Sequence, residues 1–224
     1  MSNQILITGA NRGIGLELAK QLHTQGHKIT AICRHSSPDI EAIASQVISN
    51  IDIREKKDIQ SAKNSCECNS FDILINNAGV LQNENIQHLD STSVFQIKNQ
   101  FITNSLAPLL ITHHFLDTLK ENSKLILITS RMGSIADNDS GGRYGYRMSK
   151  AALNAAGKSL SIDLKEQGIA VGIFHPGWVQ TQMTGYSGPL TVQESAKNLI
   201  TRIEALNLEN SGQFLHSNGE SLPW

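Results

Sequence analysis

Tyr146-Arg147-Met148-Ser149-Lys150 sets a phenol and an ammonium four residues apart, one turn apart on the same face if the segment is helical. A free tyrosine, with a pKa near 10, is a poor proton donor and acceptor at neutral pH. A unit positive charge about 4 Å away, at an effective dielectric near 20, favours the phenolate by about 4 kcal/mol, or roughly 3 pKa units before solvent losses. The pair therefore suits proton transfer to or from an oxygen. Tyr144 has Met148 at the same offset and lacks the cation. Taken alone, two fixed positions recur by chance, and a half-buried tyrosine beside an unrelated surface lysine accounts for them equally well.

A second constellation lies near the N-terminus. Thr8-Gly9-Ala10-Asn11-Arg12-Gly13-Ile14-Gly15 follows the apolar run Ile5-Leu6-Ile7 and leads into the amphipathic stretch from Leu16 to Leu22. Read as strand, turn and helix, Gly9 permits the tight turn, Gly13 lets backbone amides approach a diphosphate, and Gly15 allows close helix packing. The helix N-terminus favours the anion. The spacing is T-G-x-x-x-G-x-G, distinct from the G-x-G-x-x-G dinucleotide fingerprint.

Together these motifs resemble the short-chain dehydrogenase/reductase family, specifically its small carbonyl-reductase-like and C-signal-like branch, which the tail Gly212–Trp224 also suggests. Further matches run in the family's order across nearly the whole chain: Asp52-Ile53, Asn76-Asn77-Ala78-Gly79, Asn104, Ser130, and His175-Pro176-Gly177-Trp178-Val179-Gln180-Thr181. The resemblance implies a catalytic set of Ser130, Tyr146, Lys150 and Asn104. Ser130 would position the substrate oxygen, with Ser134 a weaker rival, and Asn104 would hold a water on the proton path to Lys150. It also implies a cofactor site drawn from Gly9, Asn11, Arg12, Gly13, Ile14, Gly15, Arg34, Asp52, Ile53, Asn77, Ala78, Gly79, Pro176, Gly177, Val179 and Thr181, with Tyr146 and Lys150. His175 precedes the Pro-Gly turn and is assigned no chemistry.

The end of the second strand reads Ala31-Ile32-Cys33-Arg34-His35. An acidic residue there would accept from a ribose 2′-hydroxyl, whereas Arg34, helped by Arg12, would attract a 2′-phosphate. One charge-assisted bond, about 1.5–3 kcal/mol, shifts preference roughly 10- to 150-fold. NADP (as NADPH) is expected over NAD.

The elements that must position these groups alternate as strand and helix. Strands are expected near 4–8, 28–33, 47–51, 71–76, 124–129, 169–174 and 213–216, the first six reading as buried centres of a sheet. Helices are expected over 13–25, 39–45, 55–66, 91–120, 144–167 and 191–206, with Gly26 and Gly168 at positive φ where helices end. Thr191-Val192-Gln193-Glu194 reads as a capping box. The fold class is α/β: a Rossmann fold in one domain, 1–224, with a doubly wound seven-stranded parallel sheet flanked by helices. Segments 131–143 and 177–190, rich in glycine, follow strand ends and are expected to wall a substrate site. Met132, Trp178, Met183 and Tyr186 would make it apolar.

Nineteen basic against twenty acidic residues, without a long run of either sign, argue against nucleic acid or a membrane surface as partner. Three cysteines and the absence of a leader pattern suit a reducing cytoplasm. Cys66-Glu67-Cys68 has no second pair, and His113-His114 are adjacent on a helix, so no metal site is expected. The expected partner is a small carbonyl or alcohol substrate. The resemblance also allows a homo-oligomer through 91–120 and 144–167. Two rival readings remain: a cofactor-binding signalling or sensing protein with little turnover, and a sugar-nucleotide epimerase or dehydratase, for which 224 residues leave little room.

Overall fold

The computed structural model describes residues 2–224. Seven parallel strands form one sheet in the order β3-β2-β1-β4-β5-β6-β7. They are β1 (Gln4–Thr8), β2 (Lys28–Ile32), β3 (Gln46–Ile48), β4 (Phe71–Asn76), β5 (Leu119–Ile128), β6 (Ala170–His175) and β7 (Phe214–His216). The chain leaves β1 toward β3 on one side and returns to β4 on the other. That reversal opens a crevice between the C-terminal ends of β1 and β4.

Strand periodicity builds two cores at once. Side chains alternate across a strand, so Leu6, Leu74, Leu125 and Leu127 enter one cluster while Ile5, Ile7, Ile73, Ile75, Ile126 and Ile128 enter the other. The leucine face is covered by α3 (Lys56–Ser65), α5 (Ala107–Phe115) and α6 (Tyr144–Asp163). The isoleucine face is covered by α1 (Gly13–Thr24), α2 (Pro38–Glu41) and α7 (Val192–Ala205). Helix α4 (Ser91–Phe101) packs on α6. A Cβ at Gly157 would stand 2.8 Å from both Leu127 and Ile173, so the missing side chain lets the middle of α6 press close to the sheet.

Several boundaries differ from the sequence reading. The segment 91–120 is not one helix: α4 ends at Phe101, a π-helical turn occupies Ile102–Leu106, and α5 follows. Strand β5 begins at Leu119 rather than 124, because the polar stretch Lys120–Ser123 is accommodated by a register shift against β4 and a left-handed Asn122. Ser123 holds this irregular entry, donating to the Phe71 carbonyl at 2.9 Å and accepting from the Lys120 amide at 3.0 Å. Strand β3 is a sheet edge with partly exposed side chains, not a buried centre. Helix α2 is one turn long. The capping box at Thr191 and Glu194 is present, and Gly26 and Gly168 both have positive φ.

Candidate active site

The glycine turn meets the loop after β4 directly. Gly9 has φ +68°, and a Cβ there would stand 2.9 Å from the Ala78 backbone. Thr8 Oγ1 accepts from the amides of Asn77 and Ala78 at 3.1 and 3.2 Å, while the Asn77 amide group donates to the carbonyls of Thr8 and Gly9 at 3.0 and 3.1 Å. The two loops are thereby fixed as one floor. Gly13 is different: its added Cβ would find nothing nearer than Thr181 at 3.8 Å, so the bare backbone faces open space. Helix α1 starts without a side-chain cap and without an acid in its first turn. Its free amides and dipole suit a diphosphate.

Above this floor runs a cleft of about 780 Å³. It is lined by Gly9, Asn11, Arg12, Gly13, Ile14, Gly15 and Arg34, with Asp52, Ile53, Asn77, Ala78 and Gly79. Tyr146, Lys150 and Pro176 line it too, as does Thr181, which stands beside Gly13. Ser130, Asn104, Gly177 and Val179 are expected site residues that do not line the cleft. Val179 is buried behind the wall and pairs with Leu190. The set fits a dinucleotide by volume, by the uncapped helix and by the exposed Arg34.

Arg12 is committed elsewhere than expected. Its guanidinium hydrogen-bonds the Gln182 side chain, tying the glycine turn to a short helical turn at Gln182–Thr184 across the mouth. Asp52 is paired with Arg54, which donates through Nε at 2.9 and 3.1 Å and reaches Asn99 at 2.6 Å. The hydrogen bond from Arg54 is the main cause holding the Asp52 carboxyl below its usual range. Arg54 and Asn99 line the cleft and were not expected, since neither belongs to a spaced motif.

Tyr146 and Lys150 are buried on α6. The Lys150 ammonium lies 5.9 Å from the centre of the Tyr146 ring and donates to the Ile128 carbonyl at 2.9 Å. Burial pulls the lysine down to about 8. Burial also raises the Tyr146 phenol, opposed by a hydrogen bond with Ser130 and by the charge of Arg143. Desolvation thus outweighs the stabilisation of phenolate that spacing alone suggested. Ser130 also accepts from the Met132 amide at 3.1 Å, which fixes the start of the loop.

Asn104 sits in the π-helical turn, where an extra residue widens the helix. Its amide group is held at both ends: Oδ1 accepts from the Val80 amide and Nδ2 donates to the Val80 carbonyl, each at 2.8 Å, and Nδ2 also reaches Ser149 at 3.0 Å. The position where a Cβ of Gly79 would stand is 3.2 Å from Asn104 Oδ1 and 3.7 Å from Lys150 Nζ. Asn104, Gly79 and Lys150 therefore meet at one point.

A buried carboxylate, Glu84, completes this frame and was missed by the sequence reading. It accepts from the Gly145 amide at 3.2 Å, one residue before Tyr146, and from the Gln100 side chain. The substrate-side loop is held from the tail: Trp224 accepts from the Ala136 amide at 3.0 Å, and Arg131 pairs with Glu220 at 3.1 Å. Trp224 stacks on Phe214 with ring centres 5.4 Å apart. Met183 and Tyr186 line the cleft, whereas Trp178, 59% exposed, and Met132 do not. His175 packs edge-on to His216, and burial drives it down to about 3, so it stays neutral.

Residues 3–189 match the family described as short chain dehydrogenase. This chain belongs to that family. As a short-chain dehydrogenase it is 34% identical over 226 residues to 1-hydroxy-2-glutathionyl-2-methyl-3-butene dehydrogenase of Rhodococcus sp. strain AD45, covering 98% of this chain and 99% of that one. It is 41% identical over 159 residues to the C-signal protein of Myxococcus xanthus, covering 68% and 92%. Among solved structures, the NADPH-bound carbonyl reductase from chicken fatty liver superposes with a TM-score of 0.89 at 29% identity, covering 100% and 99%. Among the described residues there is no cluster of side chains able to hold a metal ion, and no helix is long and apolar enough to cross a membrane.

Proposed function

We propose that this oxidoreductase, its residues 1–224 acting as one domain, uses NADPH to reduce a small carbonyl compound, and NADP to run the reverse oxidation. The observation that carries the reading is that Tyr146 and Lys150 line the same cleft as the uncapped glycine turn. Bound NADPH supplies the hydride. Tyr146 gives its proton to the developing alkoxide, Ser130 holds the same oxygen, and Lys150 donates to the nicotinamide ribose while its charge favours the departing proton. Asn104, beside Gly79 and Lys150, anchors the inner end of the proton path. Proton transfer of this kind contributes about 10²- to 10⁴-fold. Arg34 at the adenosine end favours the 2′-phosphate, and the NADPH in the superposable chicken reductase accords with that choice.

A fluorescence titration with NADPH and then NADH, followed by NADPH oxidation against aldehydes, ketones and quinones, tests this directly. Tighter NADPH binding with turnover is expected. The likeness to C-signal favours one second reading: a cofactor-binding signalling protein, which tight binding without turnover of any carbonyl would support.

A further inference from the structure

Among the described residues that line the cleft, Arg12, Arg34, Arg54 and Lys150 are basic and Asp52 is the one carboxylate. A phosphorylated dinucleotide therefore meets a single acidic side chain in the wall. That side chain belongs beside Arg34. The Asn50 amide donates to the Arg34 carbonyl at 3.1 Å and the Ile51 amide to the Cys33 carbonyl at 3.2 Å. Asp52 follows Asn50 by two residues, at most about 7 Å of extended chain. The charge of Arg34 also acts on the Asp52 carboxyl, adding to the larger effect of Arg54 in holding it low.

The Asp52 carboxylate is closed off by Arg54. Oδ1 accepts from the Arg54 amide at 3.0 Å and from Nε at 2.9 Å, while Oδ2 accepts from Nη2. Nη1 is held in turn by Asn99 Oδ1 of α4 at 2.6 Å. The planar fork is thus fixed against the acid from two directions before any ligand arrives. We infer that Arg54 sets the preference for a 2′-phosphorylated cofactor by neutralising Asp52, without itself binding the phosphate. This rests on the NADPH reading above. A bare carboxylate here would repel the 2′-phosphate and compete with it for Arg34; one bonded twice to a guanidinium does neither.

Calorimetric titration of the full chain with adenosine 2′,5′-bisphosphate and with adenosine 5′-monophosphate reads this discrimination without turnover. The wild type should bind the bisphosphate more tightly. In Arg54→Gln the ratio of the two affinities should fall on the order of tenfold, the effect of one exposed like charge about 10 Å away at an effective dielectric near 20. Arg54→Lys should retain part of the ratio. Arg54 and Asp52 are 34% and 23% exposed, so breaking the pair leaves the fold in place. Adding Asp52→Asn to Arg54→Gln should restore the ratio, because the anion is then gone as well. Neither a purely structural Arg54 nor one that grips the phosphate itself gives that rescue. An unchanged ratio in Arg54→Gln, or a lost ratio that Asp52→Asn does not restore, would overturn the inference and leave the reductase standing. Equal affinity for the two nucleotides in the wild type would overturn the inference and the NADPH preference together.

Discussion

Burial raises the Tyr146 phenol and lowers the Lys150 ammonium to about 8, which leaves the tyrosine protonated and the lysine charged at neutral pH. That is the state needed to reduce a carbonyl. Carbonyl reduction should therefore be flat through neutral pH and decline above about pH 8 as Lys150 loses its proton, while alcohol oxidation, which needs phenolate, should rise with pH. A pH profile of kcat/KM in both directions checks this, and reduction that climbs through pH 8 would remove Tyr146 as donor. Tyr146→Phe should lower kcat by at least 10²-fold and leave the NADPH Kd unchanged. That Tyr146, Lys150 and the three glycines share one cleft was legible in the sequence, because their placement follows from spacing. Glu84, Arg54 and Asn99 were not, because each acts through a contact made by the fold and carries no periodic signature.

At the scale of elements, α6 carries Tyr146 and Lys150, and Glu84 accepts from the Gly145 amide at its N-terminus. Replacing that carboxylate with alanine leaves the Gly145 amide and the Gln100 side chain without their partner, a loss of about 1–3 kcal/mol for buried polar groups. Glu84→Ala should lower the Tm by several degrees and reduce kcat more than it changes NADPH affinity, since the glycine turn lies elsewhere. Thermal unfolding and steady-state kinetics check both parts. An unchanged kcat would confine Glu84 to a structural role. The alternation of short apolar runs with helical stretches made the parallel sheet readable. The break between α4 and α5 was not, because a π turn is made by one extra residue in the register and leaves a helical composition intact. Nor was the start of β5, where Ser123 and the left-handed Asn122 carry a polar stretch into the sheet.

Across the whole molecule, acid should act through the β6–β7 edge. His175 is held neutral by burial, reinforced by His216, Arg131 and Lys150. Its folded pKa is about 3 against an ordinary 6.5, so the stability it contributes is complete above pH 6.5 and is lost as pH falls toward 3. At pH 4 the loss is on the order of a few kcal/mol. Denaturant midpoints at pH 7 and pH 4 should converge in His175→Phe, which keeps a ring and removes the titration; an equal acid shift in that variant and the wild type would assign the effect to other groups. The bond from the Ala136 amide to the Trp224 carbonyl has a consequence in time. The glycine turn and the Asn77-Ala78 floor come from the first 80 residues, but the loop at Ala136 is pinned by Trp224. During synthesis, which proceeds from the N-terminus, the glycine turn and its floor can therefore meet well before Trp224 emerges to hold the loop at Ala136.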